Sequence, residues 1–134
     1  MVKVGLVTGA FDIIHPGYIR LFKDAKRVCD YLIVALQDDP SLERPKTKYK
    51  PIFSKEERFE ILMSIRYVDE VRFYNTEDDL MLLLLEIKPD SRIMGTDHSG
   101  KVVTGRNAAP IYYHIRNHNW SETRVRKLLC EERK

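Results

Sequence analysis

The chain alternates short apolar runs with longer stretches in which apolar residues return every three or four positions. The run from Val2 to Thr8 predicts a buried strand, and the run from Tyr31 to Leu36 predicts a second one. Between them, the spacing from about Pro16 to Asp30 predicts an amphipathic helix whose apolar stripe packs on a sheet. A strand, a helix and a strand joined in this way form a parallel, right-handed crossover in nearly all proteins.

The same periodicities continue to the end of the chain. They predict a helix after Ser54, a strand from Val68 to Tyr74, a helix from about Glu77 to Ile87, strands from Arg92 to Gly95 and from Pro110 to Ile115, and a last helix capped by Ser121. This alternation indicates a three-layer Rossmann-like α/β fold, with a mainly parallel sheet flanked by helices. With 134 residues, we expect a single domain over residues 1–134.

Charge is concentrated in one irregular segment. The formal net charge of +3 is too small to indicate nucleic-acid binding by itself. The segment from Ser41 to Phe53 has no periodicity, which makes it a candidate lid or binding loop. Within it the basic residues alternate as Arg44, Lys46, Lys48 and Lys50. A solvated loop is the ordinary interpretation of such a run, and a polyanionic ligand is the functional one.

Cysteine usage and hydropathy favour a cytoplasmic protein. Cys29 and Cys130 lie far apart in sequence, and they form neither a disulfide framework nor a metal-ligand spacing. The longest apolar run, Leu80 to Leu85, is too short to span a bilayer. Met1 is followed by a strand-like segment rather than by the pattern of a signal peptide. We therefore expect no membrane and no nucleic-acid partner.

The turn after the first strand carries the strongest functional signal. Gly9 allows a sharp turn at the carboxyl end of the strand, which is where open α/β sheets bind their ligands. The amides of Gly9, Ala10 and Phe11 can then approach a phosphate. His15 lies at the start of the following helix, where unpaired N–H groups favour anions. A nucleotide site is the natural interpretation.

Residues 9–18 resemble the G-x-F-D-x-x-H-x-G-H signature of the cytidylyltransferase-like nucleotidyltransferases, with Tyr18 in place of the second histidine. Further segments fall in the order and spacing of small bacterial glycerol-3-phosphate cytidylyltransferases: Glu56 to Arg58, Arg66 to Val71, Met94 to Asp97, and Arg116 followed by Ser121 to Thr123. The resemblance covers nearly the whole chain. It implies transfer of CMP from CTP to a small phosphorylated alcohol, with release of pyrophosphate, Mg²⁺ bound with the nucleotide, and a homodimer.

The resemblance also implies roles for individual residues. His15, Lys48 and Arg116 are the expected catalytic residues, because they would neutralise charge on the phosphates. The remaining expected nucleotide contacts are Thr8, Gly9, Ala10, Phe11, Gly17, Tyr18, Lys50, Arg66, Asp97, Ser121 and Thr123. No residue is expected to ligate a metal directly as part of a dedicated site.

Simpler roles compete with several of these assignments. His15 and Ser121 can be ordinary helix caps, and an arginine near a helix end, such as Arg66, is more often structural. Asp12 can bind the ribose or order its own turn. For His98, His114 and His118 we expect surface or core roles, and for Trp120 a packing role. Glu122 would repel phosphates from inside the site, so we expect it to face solvent or to help hold a metal ion.

Two other functions remain open. Adenylyl transfer to a sugar phosphate uses the same fold and much the same signature. A catalytically silent nucleotide-binding protein is suggested by Tyr18 and Glu122, which stand where the chemistry should be. A receiver-type signalling domain is disfavoured, because the pair Asp38 and Asp39 follows the second strand rather than the first.

Overall fold

The computed structural model describes residues 1–96, 103–105 and 107–131. Its elements follow in the order β1 (Val4–Gly9), α1 (Pro16–Val28), β2 (Tyr31–Gln37), α2 (Lys55–Met63), β3 (Glu70–Tyr74), α3 (Glu77–Ile87), β4 (Ser91–Gly95), β5 (Ile111–His114) and α4 (Glu122–Cys130). The order matches the prediction, and α3 matches it at both ends. The first helix ends at Val28 rather than Asp30, and the third strand begins at Glu70 rather than Val68.

The five strands form one sheet in the order β3-β2-β1-β4-β5, and every neighbouring pair is parallel. The predicted parallel α/β fold is therefore confirmed. The order runs outward from β1 in one direction through β2 and β3, and in the other through β4 and β5. This reversal places a topological switch point between the carboxyl ends of β1 and β4, which is where sheets of this type bind ligands.

The helices cover both faces of the sheet. On one face, Phe22 and Ala25 of α1 and Leu62 of α2 are completely buried against strand residues such as Val34. On the other face, Leu80 and Leu84 of α3 pack on Leu6 and Ile33. Alternate strand residues thus serve opposite layers, which explains why the central strands read as continuous apolar runs.

Local sequence signals set where the helices begin. Ser54 and Glu57 make a reciprocal capping box at the start of α2, as the sequence predicts. Thr76 and Asp79 make a second one at the start of α3. The helix α4 differs from the others because it has no buried residues. It lies at the carboxyl edge of the sheet, and its first turn faces the cleft described next.

Candidate active site

A cleft of about 620 Å³ lies over the carboxyl edge of the sheet, at the switch point. All five strands contribute to its wall near their carboxyl ends, through Thr8, Gln37, Tyr74, Gly95 and His114. The β1–α1 turn, the irregular segment before α2 and the first turn of α4 complete it. The sheet therefore supplies a rigid floor, and three separate segments of the chain surround it.

The β1–α1 turn has an unusual backbone. Phe11 adopts a left-handed conformation with φ 45°, which bulky residues rarely adopt. Its ring is buried beside Phe22 and Tyr18, with centroids 5.4 and 5.0 Å away. A Cβ on Gly9 would approach this ring to 3.1 Å, so the glycine allows the ring to fold over the end of β1. The packing of Phe11 thus shapes the turn at the floor of the cleft.

His15 caps α1 and lines the cleft. The Gly17 backbone N–H donates to its Nδ1 at 3.1 Å. Because Nδ1 accepts this bond, the proton of the neutral ring lies on Nε2. Nε2 is buried and has no hydrogen-bond partner among the described residues. The capping role and the functional role predicted for His15 are therefore compatible, because the cap uses Nδ1 and leaves Nε2 without a hydrogen-bond partner among the described residues.

The electrostatic environment of His15 favours an anion. Burial, together with the positive charges of Arg116 and His118, lowers the pKa of His15 to about 4. The ring is therefore neutral at pH 7, and Nε2–H is a neutral donor. A polyanion in this cleft would offset the positive potential and raise the pKa of His15.

The first turn of α4 and the segment between β5 and α4 form a second wall. Arg116 donates from its guanidinium to the Trp120 carbonyl at 2.5 Å, and its backbone N–H donates to Thr96 Oγ1 at 3.2 Å. Ser121 caps α4, since its Oγ accepts from the Arg124 N–H at 3.1 Å. The Trp120 ring has the Arg124 guanidinium 4.5 Å from its centroid. Arg116 and Ser121 both line the cleft, as does Thr123.

The irregular segment before α2 is fastened to the cleft by Asp12. The Asp12 carboxylate, 1% exposed, accepts from the backbone N–H groups of Ile52 at 2.7 Å and Phe53 at 3.0 Å. Arg126 of α4 donates to the same carboxylate at 2.9 Å, and its guanidinium lies over the Tyr49 ring. Asp12 therefore ties three parts of the chain together, and its oxygens are engaged in this structure rather than directed at a ribose.

Tyr18 and Glu122 contact each other. The Tyr18 hydroxyl donates to Glu122 Oε1 at 2.8 Å, and the Asp12 N–H donates to the same oxygen at 3.0 Å. Glu122 lines the cleft and its Oε1 is held by these two donors, so it does not simply face bulk solvent; a role in holding a metal ion stays a prediction. Because the Tyr18 hydroxyl proton is directed at a carboxylate, it is not directed at a phosphate. Burial and the Glu122 charge also raise the pKa of Tyr18, which keeps the phenol protonated.

Most of the residues predicted for the site surround the one cleft. They are Thr8, Gly9, Ala10, Phe11, His15, Gly17, Tyr18, Lys48, Arg116, Ser121 and Thr123. Lys50 and Arg66 do not line it. Arg66 follows α2 and precedes β3, at the amino edge of the sheet, so parallel strand direction places it on the side away from the cleft. Asp97 and His98 lie outside the described residues.

Sequence reasoning missed several polar residues near the cleft, among them Arg58, Arg126 and His118. Arg58 is 1% exposed and donates to the carbonyls of Ala10 at 3.0 Å and Gln37 at 2.7 Å, so it joins the ends of β1 and β2. Arg126 lies one helical turn after Glu122, and this spacing is the signal that could have revealed it. His118 also lines the cleft, although its position in the sequence suggested a surface or core role.

The described residues contain no group of three histidine, cysteine or carboxylate side chains arranged to hold a metal ion. Mg²⁺ bound with a nucleotide stays a prediction. None of the described helices has the length and apolar character needed to cross a membrane.

The sequence of the chain is similar to those of several known proteins. The chain is 41% identical over 103 residues to the bifunctional protein HldE of Gluconacetobacter diazotrophicus, and 36% identical to that of Rhodopseudomonas palustris. Each match covers 77% of this chain and 21% of the relative, so the chain spans about a fifth of the length of these proteins. Closeness to the glycerol-3-phosphate enzymes in particular is not shown.

Solved structures share the fold. A lipopolysaccharide core biosynthesis protein from Thermoplasma volcanium superposes with a TM-score of 0.67 at 24% identity, over 84% of this chain and 94% of that one. Pantothenate synthetase from Thermus thermophilus superposes with a TM-score of 0.61 at 14% identity, over 84% and 55%. The sequence pattern described as Cytidylyltransferase-like matches residues 6–128, with the β1–α1 turn and the start of α4 inside the match. This chain belongs to the cytidylyltransferase-like family of nucleotidyltransferases.

Proposed function

We propose that this chain transfers a nucleoside monophosphate from a nucleoside triphosphate to a small phosphorylated acceptor. An acceptor phosphate oxygen attacks the α-phosphorus, the new P–O bond forms in line with the breaking bond to the β-phosphate, and pyrophosphate leaves. No covalent intermediate with the protein is required. Catalysis of this kind rests on positioning and on stabilisation of charge, which is what a rigid cleft with cationic walls supplies.

The observation that carries this proposal is the orientation of His15. Its Nδ1 is engaged by Gly17, its buried Nε2–H has no partner among the described residues, and the residue lines the cleft. Arg116 and Lys48 line the same cleft. A donor fixed in place before the reaction costs little reorganisation when negative charge develops on the transferring phosphoryl group.

The two walls have different proposed roles. We assign Arg116 and the amide groups at the start of α4 to the phosphates, because helix amino termini favour anions. Lys48 lies on the segment fastened by Asp12, and we assign it to phosphates from the opposite side as a point charge. Glu122 places a carboxylate in the first turn of α4. Its negative charge is compensated in part by Arg126, whose guanidinium lies 3.9 Å away.

For the nucleotide and the acceptor, the resemblance at sequence level supports CTP and a glycerol-3-phosphate-like alcohol. The second candidate is adenylyl transfer from ATP to a sugar phosphate. It is favoured by the finding that the relatives reported above are HldE proteins rather than glycerol-3-phosphate cytidylyltransferases.

Pyrophosphate release tests the reaction and both candidates together. The four common nucleoside triphosphates are combined with Mg²⁺ and with several phosphorylated alcohols and sugars. Release that depends on both a nucleotide and an acceptor supports the proposal, and the productive pair identifies the substrates. Nucleotide binding without release from any pair would instead identify a silent binding protein.

A further inference from the structure

A second histidine lies beside His15 although the signature position for it, residue 18, holds tyrosine. The two rings meet at Gly17. A Cβ on Gly17 would lie 2.7 Å from His118 Cε1 and 2.9 Å from His15 Cε1. Both imidazoles therefore pack against the same point at the start of α1, and only a residue without a side chain leaves room for them there.

The two rings are held in the same tautomer. The Trp120 backbone N–H donates to His118 Nδ1 at 3.1 Å, just as the Gly17 N–H donates to His15 Nδ1. Since a backbone N–H can only donate, Nδ1 is the acceptor in each ring, and Nε2 carries the proton. Both rings are therefore N–H donors through Nε2, whether neutral or charged.

Neither of these donors is satisfied within the described residues. The Nε2 atoms of His15 and His118 are both buried and have no hydrogen-bond partner there. A buried donor without an acceptor costs stability, so two such donors at one point indicate a place for an acceptor-rich ligand. Both rings line the cleft.

The surrounding charge specifies the ligand. Burial lowers the pKa of both histidines, and the positive charge of Arg116 acts on both in the same direction, as Arg20 does on His118. The positive potential that the arginines create at the two rings favours a polyanion.

We propose that His118 supplies the second imidazole donor of the phosphate site, acting with His15 on the polyphosphate chain of the nucleotide. This assignment rests on the proposed function for the identity of the phosphates. The second imidazole thus comes from the segment between β5 and α4 instead of from α1. Tyr18 does not supply that donor. Its ring stacks on the His15 ring with 4.0 Å between the centroids, and its hydroxyl donates a hydrogen bond to Glu122.

Inorganic tripolyphosphate is a suitable probe, because it has the phosphate chain of any nucleoside triphosphate and no base. We compare its dissociation constant for the wild type, His118→Ala, His118→Gln and Asn119→Ala by calorimetry. Asn119 is an exposed neighbour on the same segment and serves as the matched control. Loss of a hydrogen bond to a charged phosphate predicts about tenfold weaker binding for His118→Ala. Glutamine keeps an N–H donor and should restore most of the affinity.

Wild-type affinity in His118→Ala would overturn the proposal. Equal losses in His118→Ala and His118→Gln, with melting temperatures lowered in both, would assign His118 to the structure of the segment alone and would also overturn it. The wild type provides a second measurement that needs no variant. On adding tripolyphosphate, the ¹⁵N signals of both Nε2 atoms should shift together, and a shift of His15 alone contradicts the proposal.

This test is separate from that of the reaction. If the wild type binds tripolyphosphate through both imidazoles but releases no pyrophosphate from any nucleotide, the role of His118 in phosphate binding is supported and the proposed transfer reaction is contradicted. A wild type that releases pyrophosphate from a nucleotide and an acceptor, while only the His15 signal responds to tripolyphosphate, would support the proposed transfer and would contradict the role of His118.

Discussion

The Tyr18 hydroxyl donates a 2.8 Å hydrogen bond to Glu122 Oε1, and this bond joins the first turns of α1 and α4. Tyr18 stands where the family signature has its second histidine.

Glu122→Gln should strengthen nucleotide binding. Glutamine keeps a carbonyl oxygen for Tyr18 and for the Asp12 N–H, while the negative charge near the phosphates is removed. We expect a severalfold lower dissociation constant for the nucleotide at low salt and a smaller effect at high salt, because salt screens partly exposed charges. Calorimetric titration at two ionic strengths measures both. An unchanged constant at low salt would mean that Arg126 already neutralises Glu122.

Tyr18→Phe removes one hydrogen bond but keeps the ring that packs on Phe11 and His15. We expect about 1 kcal/mol lower free energy of unfolding, from the lost bond and the carboxylate oxygen that it leaves less satisfied. Because the tyrosine hydroxyl is directed at Glu122, kcat should fall only a fewfold. Urea denaturation and steady-state kinetics measure the two effects. A loss of activity by orders of magnitude with unchanged stability would show that the hydroxyl acts on the substrate.

Lys48 and Lys50 form a matched pair, since they lie two residues apart and only Lys48 lines the cleft. Lys48→Ala should weaken nucleotide binding, most strongly at low salt, whereas Lys50→Ala should have a much smaller effect. Calorimetric dissociation constants for the two variants provide the comparison. Equal losses of nucleotide affinity in the two variants would indicate that both lysines contact the phosphates, and would contradict the observed position of Lys50 outside the cleft.

Stability should depend on pH through His15. Its pKa is about 4 in the folded protein and near 6.5 in an unfolded chain, so the unfolded state binds the proton more readily. The stabilisation from the neutral buried ring is complete above pH 6.5 and is lost as the pH falls from 6.5 toward 4. The melting temperature of the wild type should decline over this window more steeply than that of His15→Gln. Parallel declines would show that other groups dominate.

Much of the fold followed from local patterns. The central strands could be located as continuous apolar runs, because α/β proteins bury these strands on both faces. The helices could be located by their apolar spacing, and Ser54 and Ser121 indicated two helix starts because capping depends on residues close in sequence. The β1–α1 turn was predictable in the same way, since its glycine and its following histidine lie within a few residues of each other.

Several site contacts that sequence reasoning missed connect distant segments. Arg58 reaches the ends of β1 and β2, and Asp12 binds a segment forty residues ahead and a helix beyond the last strand. Glu122 faces inward because Tyr18 and the Asp12 N–H satisfy it there, and charge repulsion from a ligand could not reveal these partners. Such pairs depend on how the elements pack, which no local spacing encodes.

The most direct test of the central claim compares the wild type with His15→Ala in pyrophosphate release, using the nucleotide and acceptor that the wild type turns over. If Nε2–H of His15 stabilises charge in the transition state, kcat should fall by about two orders of magnitude or more, while nucleotide affinity should stay within about tenfold. An unchanged kcat would reduce His15 to the cap of α1 and would contradict the account.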